Sequence, residues 1–167
     1  MNEIHLPRWD ELPSIELYKE QVLELLDQVL RPLGLKPITA SMINNYTKLG
    51  WIPAPVKKKY SRKHVAHIFV IAILKDVFEI SEICHGIKLE KSRLGFDEAY
   101  NRFTEELEHA VDLVSRRFLI EEADRTETPG DSDTEIMKYT ALSFAIQRHT
   151  RQLMTQQLTQ GEMEHVK

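Results

Sequence analysis

Ser41, Asn44, Asn45 and Lys48 share one narrow arc if the segment around them is a helix turning about 100° per residue. The arc carries a hydroxyl, two carboxamides and a cation, with no carboxylate. Such groups suit the reading of base edges. A carboxamide pairs with adenine N6 and N7, and a lysine meets guanine or a phosphate. Close behind come Lys57, Lys58, Lys59, Tyr60, Arg62 and Lys63. Cations packed this closely suit phosphate contacts, because each one bound to a duplex releases condensed counterions. Tyr60 is as well suited to packing beneath this segment as to touching a duplex.

These residues lie inside a longer stretch, Lys36 to Lys75, that holds eight Lys and Arg and no Asp or Glu. The whole chain has 22 basic and 26 acidic residues, so everything outside the stretch holds 14 basic against 26 acidic. A net charge of −4 therefore conceals a polarised molecule. Local charge decides how a surface meets a polyanion. A solvated surface run is the ordinary reading of a lysine cluster. Its coincidence here with a carboxylate-free stretch around a polar helix face points instead to double-stranded DNA.

Several function classes are excluded or disfavoured. The chain has 167 residues, enough for one compact domain or a small domain with a helical appendage. The single Cys84 excludes an internal disulfide framework and fits a reducing cytoplasm. The N-terminal residues carry acids and no long apolar run, unlike a secretory signal. The apolar run from Ile68 to Leu74 falls far short of the roughly 20 residues a bilayer requires, so no membrane partner is expected. Gly-rich phosphate loops, nucleophile elbows and His-Glu metal helices are absent, which argues against an enzyme. His64 and His67 sit three apart, and Cys84-His85 lies downstream, but no third ligand with diagnostic spacing joins them. Neither a metal nor a cofactor is expected.

The elements that must position these residues are mostly helical. Residues 1–14, with Pro7, Trp9 and Pro13, read as an extended arm that packs by its aromatic. Ser14 is placed to cap a helix reaching about Arg31, with Leu17, Val22, Leu25, Leu26, Val29 and Leu30 at helical spacing. Thr39 caps a short helix, residues 40–49, whose Met42, Ile43, Tyr46 and Leu49 form the core face. Gly50, Pro53 and Pro55 stop it. Ser61 caps a helix from Arg62 to Phe78 that is apolar nearly all round and should be central and buried. Ser81 caps a further short helix, followed by a basic segment leading to Gly95. A long amphipathic helix from Asp97 to Glu122, an acidic loop around Pro129-Gly130 and a final helix from Glu135 to about Gln160 complete the chain. The last two helices read as an antiparallel hairpin, or as arms that pair with a second chain.

The basic stretch resembles the winged helix-turn-helix of MerR-type proteins. Thr39, Ile43, Tyr46, Lys48, Gly50, Ile52 and Pro53 match that family's capped recognition helix and following turn. Lys58, Tyr60 and Ser61 match its basic wing, and Ile80-Ser81-Glu82-Ile83 its next helix. Two features depart from the pattern: Asn44-Asn45 stand where the family has Arg-Tyr, and Thr47 replaces the usual acid. This resemblance covers about residues 36–85. The wording ITASMINNYTKLGWIPAPVKKKYSRKH also resembles an uncharacterised bacterial family of unknown function, the YkrK-like proteins, over residues 1–160.

The expected architecture is mainly α. A MerR-like winged helix-turn-helix domain with an N-terminal arm occupies residues 1–92, and a helical C-terminal region occupies residues 93–167. The expected function is that of a cytoplasmic, non-enzymatic, DNA-binding transcriptional regulator. The resemblance implies a homodimer formed through the C-terminal region, since one recognition helix reads only a half-site. A small-molecule effector enclosed by the C-terminal helices is a further expectation, although no residue there names one. The alternative is a protein–protein interaction adaptor that docks an acidic protein partner. The replacement of Arg by Asn favours that alternative, because function lives in the site rather than in the fold.

Overall fold

The computed structural model describes residues 5–123 and, further on, positions 146, 147, 150, 153, 154 and 156; over residues 113–123 it describes the backbone. The chain divides into two compact units, Met1–Ser115 and Arg116–Lys167. The described part is mainly helical, with five α-helices and one two-stranded sheet.

Helix α1 (Lys19–Leu30) buries Val22, Leu26 and Leu30 at helical spacing. It starts later than the Ser14 cap would place it. Leu17 and Tyr18 instead form a strand, β1 (Leu17–Tyr18), paired antiparallel with β2 (Lys59–Tyr60). Leu17 lies opposite Tyr60, and Tyr18 opposite Lys59. The Gln21 side chain then accepts the free Tyr18 N–H at 2.8 Å, which starts the helix.

Helix α2 (Ala40–Lys48) begins where expected, with Thr39 Oγ1 accepting the Met42 amide at 3.2 Å. At nine residues it is too short to be stable alone. Burial of Ile43 and Tyr46 holds it, each such side chain contributing roughly 1.5–3 kcal/mol. Its end is a double closure: the Trp51 amide reaches the Tyr46 carbonyl at 2.9 Å and the Gly50 amide reaches that of Thr47 at 3.1 Å. Gly50 sits at φ +76°, where a side chain would be strained. This closure leaves Leu49 52% exposed, so it does not join the core with its three companions.

Helix α3 (Arg62–Leu74) is the central element and buries Val65, Ala66, Ile68, Phe69, Ile71, Ala72 and Ile73. Both α1 and α4 (Ile80–Leu94) pack against it. Helix α4 is longer than the short helix read from the sequence. It starts after Glu79 rather than Ser81 and continues through Gly86, absorbing the basic segment with Lys88, Lys91 and Arg93. An isolated helical glycine costs only about 1 kcal/mol, which the burial of Ile83 offsets.

Helix α4 spans the boundary expected at residue 92, and helix α5 (Phe96–Ala123), beyond it, receives the N-terminal arm. Trp9 meets Phe96 edge-on at 5.7 Å and Tyr100 at 6.3 Å between ring centroids. The Trp9 amide donates to Asn101 Oδ1 at 2.7 Å, and Tyr100 Oη donates to the Pro7 carbonyl at 3.0 Å. Arg8 reaches Glu108, which also accepts the Leu6 amide. Burial opposes ionisation of Glu108, yet the Arg8 and Leu6 hydrogen bonds outweigh it and hold the carboxyl below its usual range. The first compact unit runs from Met1 to Ser115. The acidic loop and the hairpin or dimerisation arms read from the sequence lie outside the described residues. Of the final helix, the positions described are helical.

Candidate nucleic-acid interface

The polar arc of α2 is exposed as its spacing requires: Ser41, Asn44, Asn45 and Lys48 all face solvent. Inward-facing Ile43 and Tyr46 fix the rotation of the helix, so the arc cannot turn away without losing that burial. Thr47, which stands in place of an acid, donates back to the Ile43 carbonyl at 2.8 Å and takes no part in the face.

The lysine run forms the tip of a tight hairpin. Val56 and Lys59 exchange both backbone hydrogen bonds, at 3.1 and 2.9 Å, leaving Lys57 and Lys58 as a two-residue turn. Both have positive φ, +48° and +65°. This is the turn geometry that matches strand twist, and Asn-Gly is its usual occupant. Lysine there costs roughly 1–2 kcal/mol per residue in left-handed strain. Backbone strain retained at an exposed tip is a marker of function. It projects two ammonium groups from the rim of the domain, and both residues are exposed.

Cross-strand partners share a sheet face, so Tyr18, Lys59 and Val56 form one row. Tyr18 is 53% and Val56 62% exposed, and the Lys59 ammonium lies 5.8 Å from the centre of the Tyr18 ring. The opposite face carries Leu17 and Tyr60, both buried. Tyr60 is only 2% exposed and stacks edge-on with His64, so it packs beneath the hairpin and does not reach a ligand. Burial, and secondarily the charge of Glu20, pushes its phenol up.

Arg62 is also placed differently from its expected role as a phosphate clamp. Its guanidinium lies 5.5 Å from the centre of the Trp9 ring, and it reaches Asp10 Oδ1 and the Pro13 carbonyl, each at 3.5 Å. It fastens the arm. Lys63 remains exposed. Among the described residues no carboxylate pairs with Lys48, Lys57, Lys58 or Lys63.

One cation of this face was not visible in the sequence pattern. Lys19, the first residue of α1, donates to Asn44 Oδ1. Packing of α1 against α2 brings these two positions together across 25 residues. Glu16 and Glu20 flank Lys19 in sequence and mark the acidic border of the face.

The histidines serve the scaffold. His64 Nδ1 accepts the Ser61 amide at 3.1 Å, and Nε2 then carries the hydrogen toward the Ala54 carbonyl at 3.3 Å. This ties the proline loop to the start of α3. Cys84 Sγ donates to the Trp51 carbonyl at 3.5 Å, and burial pushes its thiol up, as for a small core group. Among the described residues, no three His, Cys, Asp or Glu side chains are grouped to hold a metal. No described helix is long and apolar enough to cross a membrane.

His67 has a buried, unpaired Nε2 and stacks on Phe96 at 6.4 Å. Burial pushes its pKa down. A hydrogen bond with the Trp51 backbone opposes this, while His64 and Lys91 add to it. The folded protein thus binds this proton less well than the unfolded chain, whose histidine titrates near 6.5. Stability is full above 6.5 and falls as the pH drops through and below that value. His67→Phe, which keeps a ring against Phe96, should flatten this part of the curve. Urea midpoints from about pH 5 to 8 read the effect. Equal slopes in the two proteins would refute it.

No curated protein and no solved structure matches the chain. The model of a family described as a domain of unknown function, DUF1836, matches residues 7–104. That span runs from the arm through α4 and takes in Tyr100 and Thr104, two buried residues of α5. Since the match covers more than half of its length, the chain belongs to the DUF1836 family.

Proposed function

We propose that the protein is a DNA-binding transcriptional regulator. In this reading α1 and α2 act as a helix-turn-helix of MerR type, α2 lies in the major groove, and the Val56–Tyr60 hairpin is the wing. The observation that carries it is the Lys57-Lys58 turn. A strained tip of two exposed lysines follows a polar helix face closely in the chain, with no described carboxylate pairing with either lysine. Ser41, Asn45 and Lys48 would meet base edges or phosphates, and Lys57, Lys58, Lys59 and Lys63 would hold the phosphate track. Tyr60 supports the wing from below, and Arg62 fastens the N-terminal arm. The protein would act in the cytoplasm, dimerising through its C-terminal region so that two copies of α2 read two half-sites. An effector would act through that region.

The second reading is an adaptor that docks an acidic protein partner. The exposed Tyr18–Lys59–Val56 row favours it, because apolar groups beside a cation suit a protein surface. Binding to random-sequence duplex across a salt series separates the two. The DNA reading requires affinity that falls steeply with salt, and weaker binding to every duplex when Lys57, Lys58 and Lys59 are all changed to Ala. Absent or salt-independent binding would leave the adaptor.

A further inference from the structure

We infer that Lys19 is a switch cation on this face: it holds the Asn44 carboxamide in the free protein and passes to a phosphate when a duplex binds. The inference rests on the DNA-binding reading and adds a residue and a sequence of events to it. A carboxamide that reads adenine must accept from N6 through its oxygen while donating to N7. In the structure that oxygen accepts from the Lys19 ammonium, so the orientation of the Asn44 carboxamide is held in the free protein, whereas Asn45 is exposed and has no such tie.

The bond is exchangeable for a chemical reason. Its acceptor is a neutral amide, and among the described residues no carboxylate pairs with Lys19. A phosphate offers the same ammonium a hydrogen bond and an opposite charge together, where the amide offers only the hydrogen bond. Position supports the exchange. Lys19 follows Tyr18, whose ring carries Lys59, and it touches α2 on its other side. It therefore lies between the helix face and the hairpin sheet, where a backbone crossing from one to the other would pass. Glu20, next to Lys19 in sequence, acts on the buried Tyr60. Passage of Lys19 to a phosphate thus frees the Asn44 carboxamide to turn toward a base, which couples backbone positioning to base reading.

The test uses the full chain, random-sequence duplex, and the duplex that the wild type enriches from a random pool. Lys19→Met keeps the aliphatic stem and removes the charge. It should shallow the slope of log affinity against log salt by about 0.9 on both duplexes while keeping the preference for the enriched one. Lys19→Arg should restore the slope. Asn44→Ala should leave the slope unchanged and reduce the preference by about fivefold or more. The inference is overturned if Lys19→Met leaves the slope unchanged. It is equally overturned if Lys19→Met abolishes the preference as Asn44→Ala does, for Lys19 would then position Asn44 in the bound state. A wild type that shows no salt-dependent binding to either duplex overturns the DNA reading itself, and the switch with it.

Discussion

Changing Lys57 to Asn and Lys58 to Gly together is expected to stabilise the fold by about 1–2 kcal/mol and to weaken binding to random duplex roughly tenfold at low salt. Both effects follow from one turn. The two residues sit at φ +48° and +65°, where a side chain crowds the backbone and Asn-Gly does not. The hydrogen bonds between Val56 and Lys59 hold the turn in place, so relaxing it should leave the hairpin intact. What disappears is two exposed ammonium groups, and with them about 1.8 from the slope of log affinity against log salt. Opposite movement of stability and affinity is what a functional strain predicts. If both fall together, the lysines contribute to folding and the tip loses its assigned role. Unchanged affinity would place the duplex elsewhere. Urea unfolding and a fluorescence anisotropy titration read the two quantities.

The second large effect concerns where the domain ends. A chain ending at residue 92 lacks Phe96, Tyr100, Asn101 and Glu108, which together receive Trp9, Pro7, Arg8 and Leu6. Tyr100 also packs edge-on against Phe69 of the central helix at 6.0 Å. Removing a core aromatic alone costs about 3–5 kcal/mol, a large share of the roughly 5–15 kcal/mol by which domains are stable. The chain ending at 92 is therefore expected to unfold or to lose its cooperative transition, whereas one ending at residue 115 folds. Circular dichroism during thermal melting distinguishes them. A cooperative melt of equal midpoint in both would show that the arm and α5 add nothing to the unit. The same result decides which chain to use when asking whether dimerisation needs the C-terminal region, because only the longer one retains the intact fold.

The features legible in the sequence were those written locally. The cap at Thr39, the inward Ile43 and Tyr46, the stop at Gly50 and the all-round apolar α3 are each set by residues within one or two turns. Exposure of the polar arc followed from them. The features that were not legible depend on partners far along the chain. Leu17 and Tyr18 fit a helical pattern but form a strand because Lys59 and Tyr60 offer them backbone partners. Arg62 reads as one more cation of the run until Asp10, Pro13 and Trp9 surround it. Lys19 lies outside the carboxylate-free stretch altogether, and folding carries it to Asn44. The arm's grip on α5 hides in the same way, although Trp9 between two prolines hinted that something must receive its ring.

The proposed function requires that the face formed by α2 and the hairpin bind a polyanion, and the most direct measurement of that is the wild-type salt slope on random duplex. With Lys19, Lys48, Lys57, Lys58, Lys59 and Lys63 all on phosphates, log affinity should fall against log salt with a slope of about −5. A slope near zero, or no binding at low salt, would contradict the account and leave the surface to a protein partner.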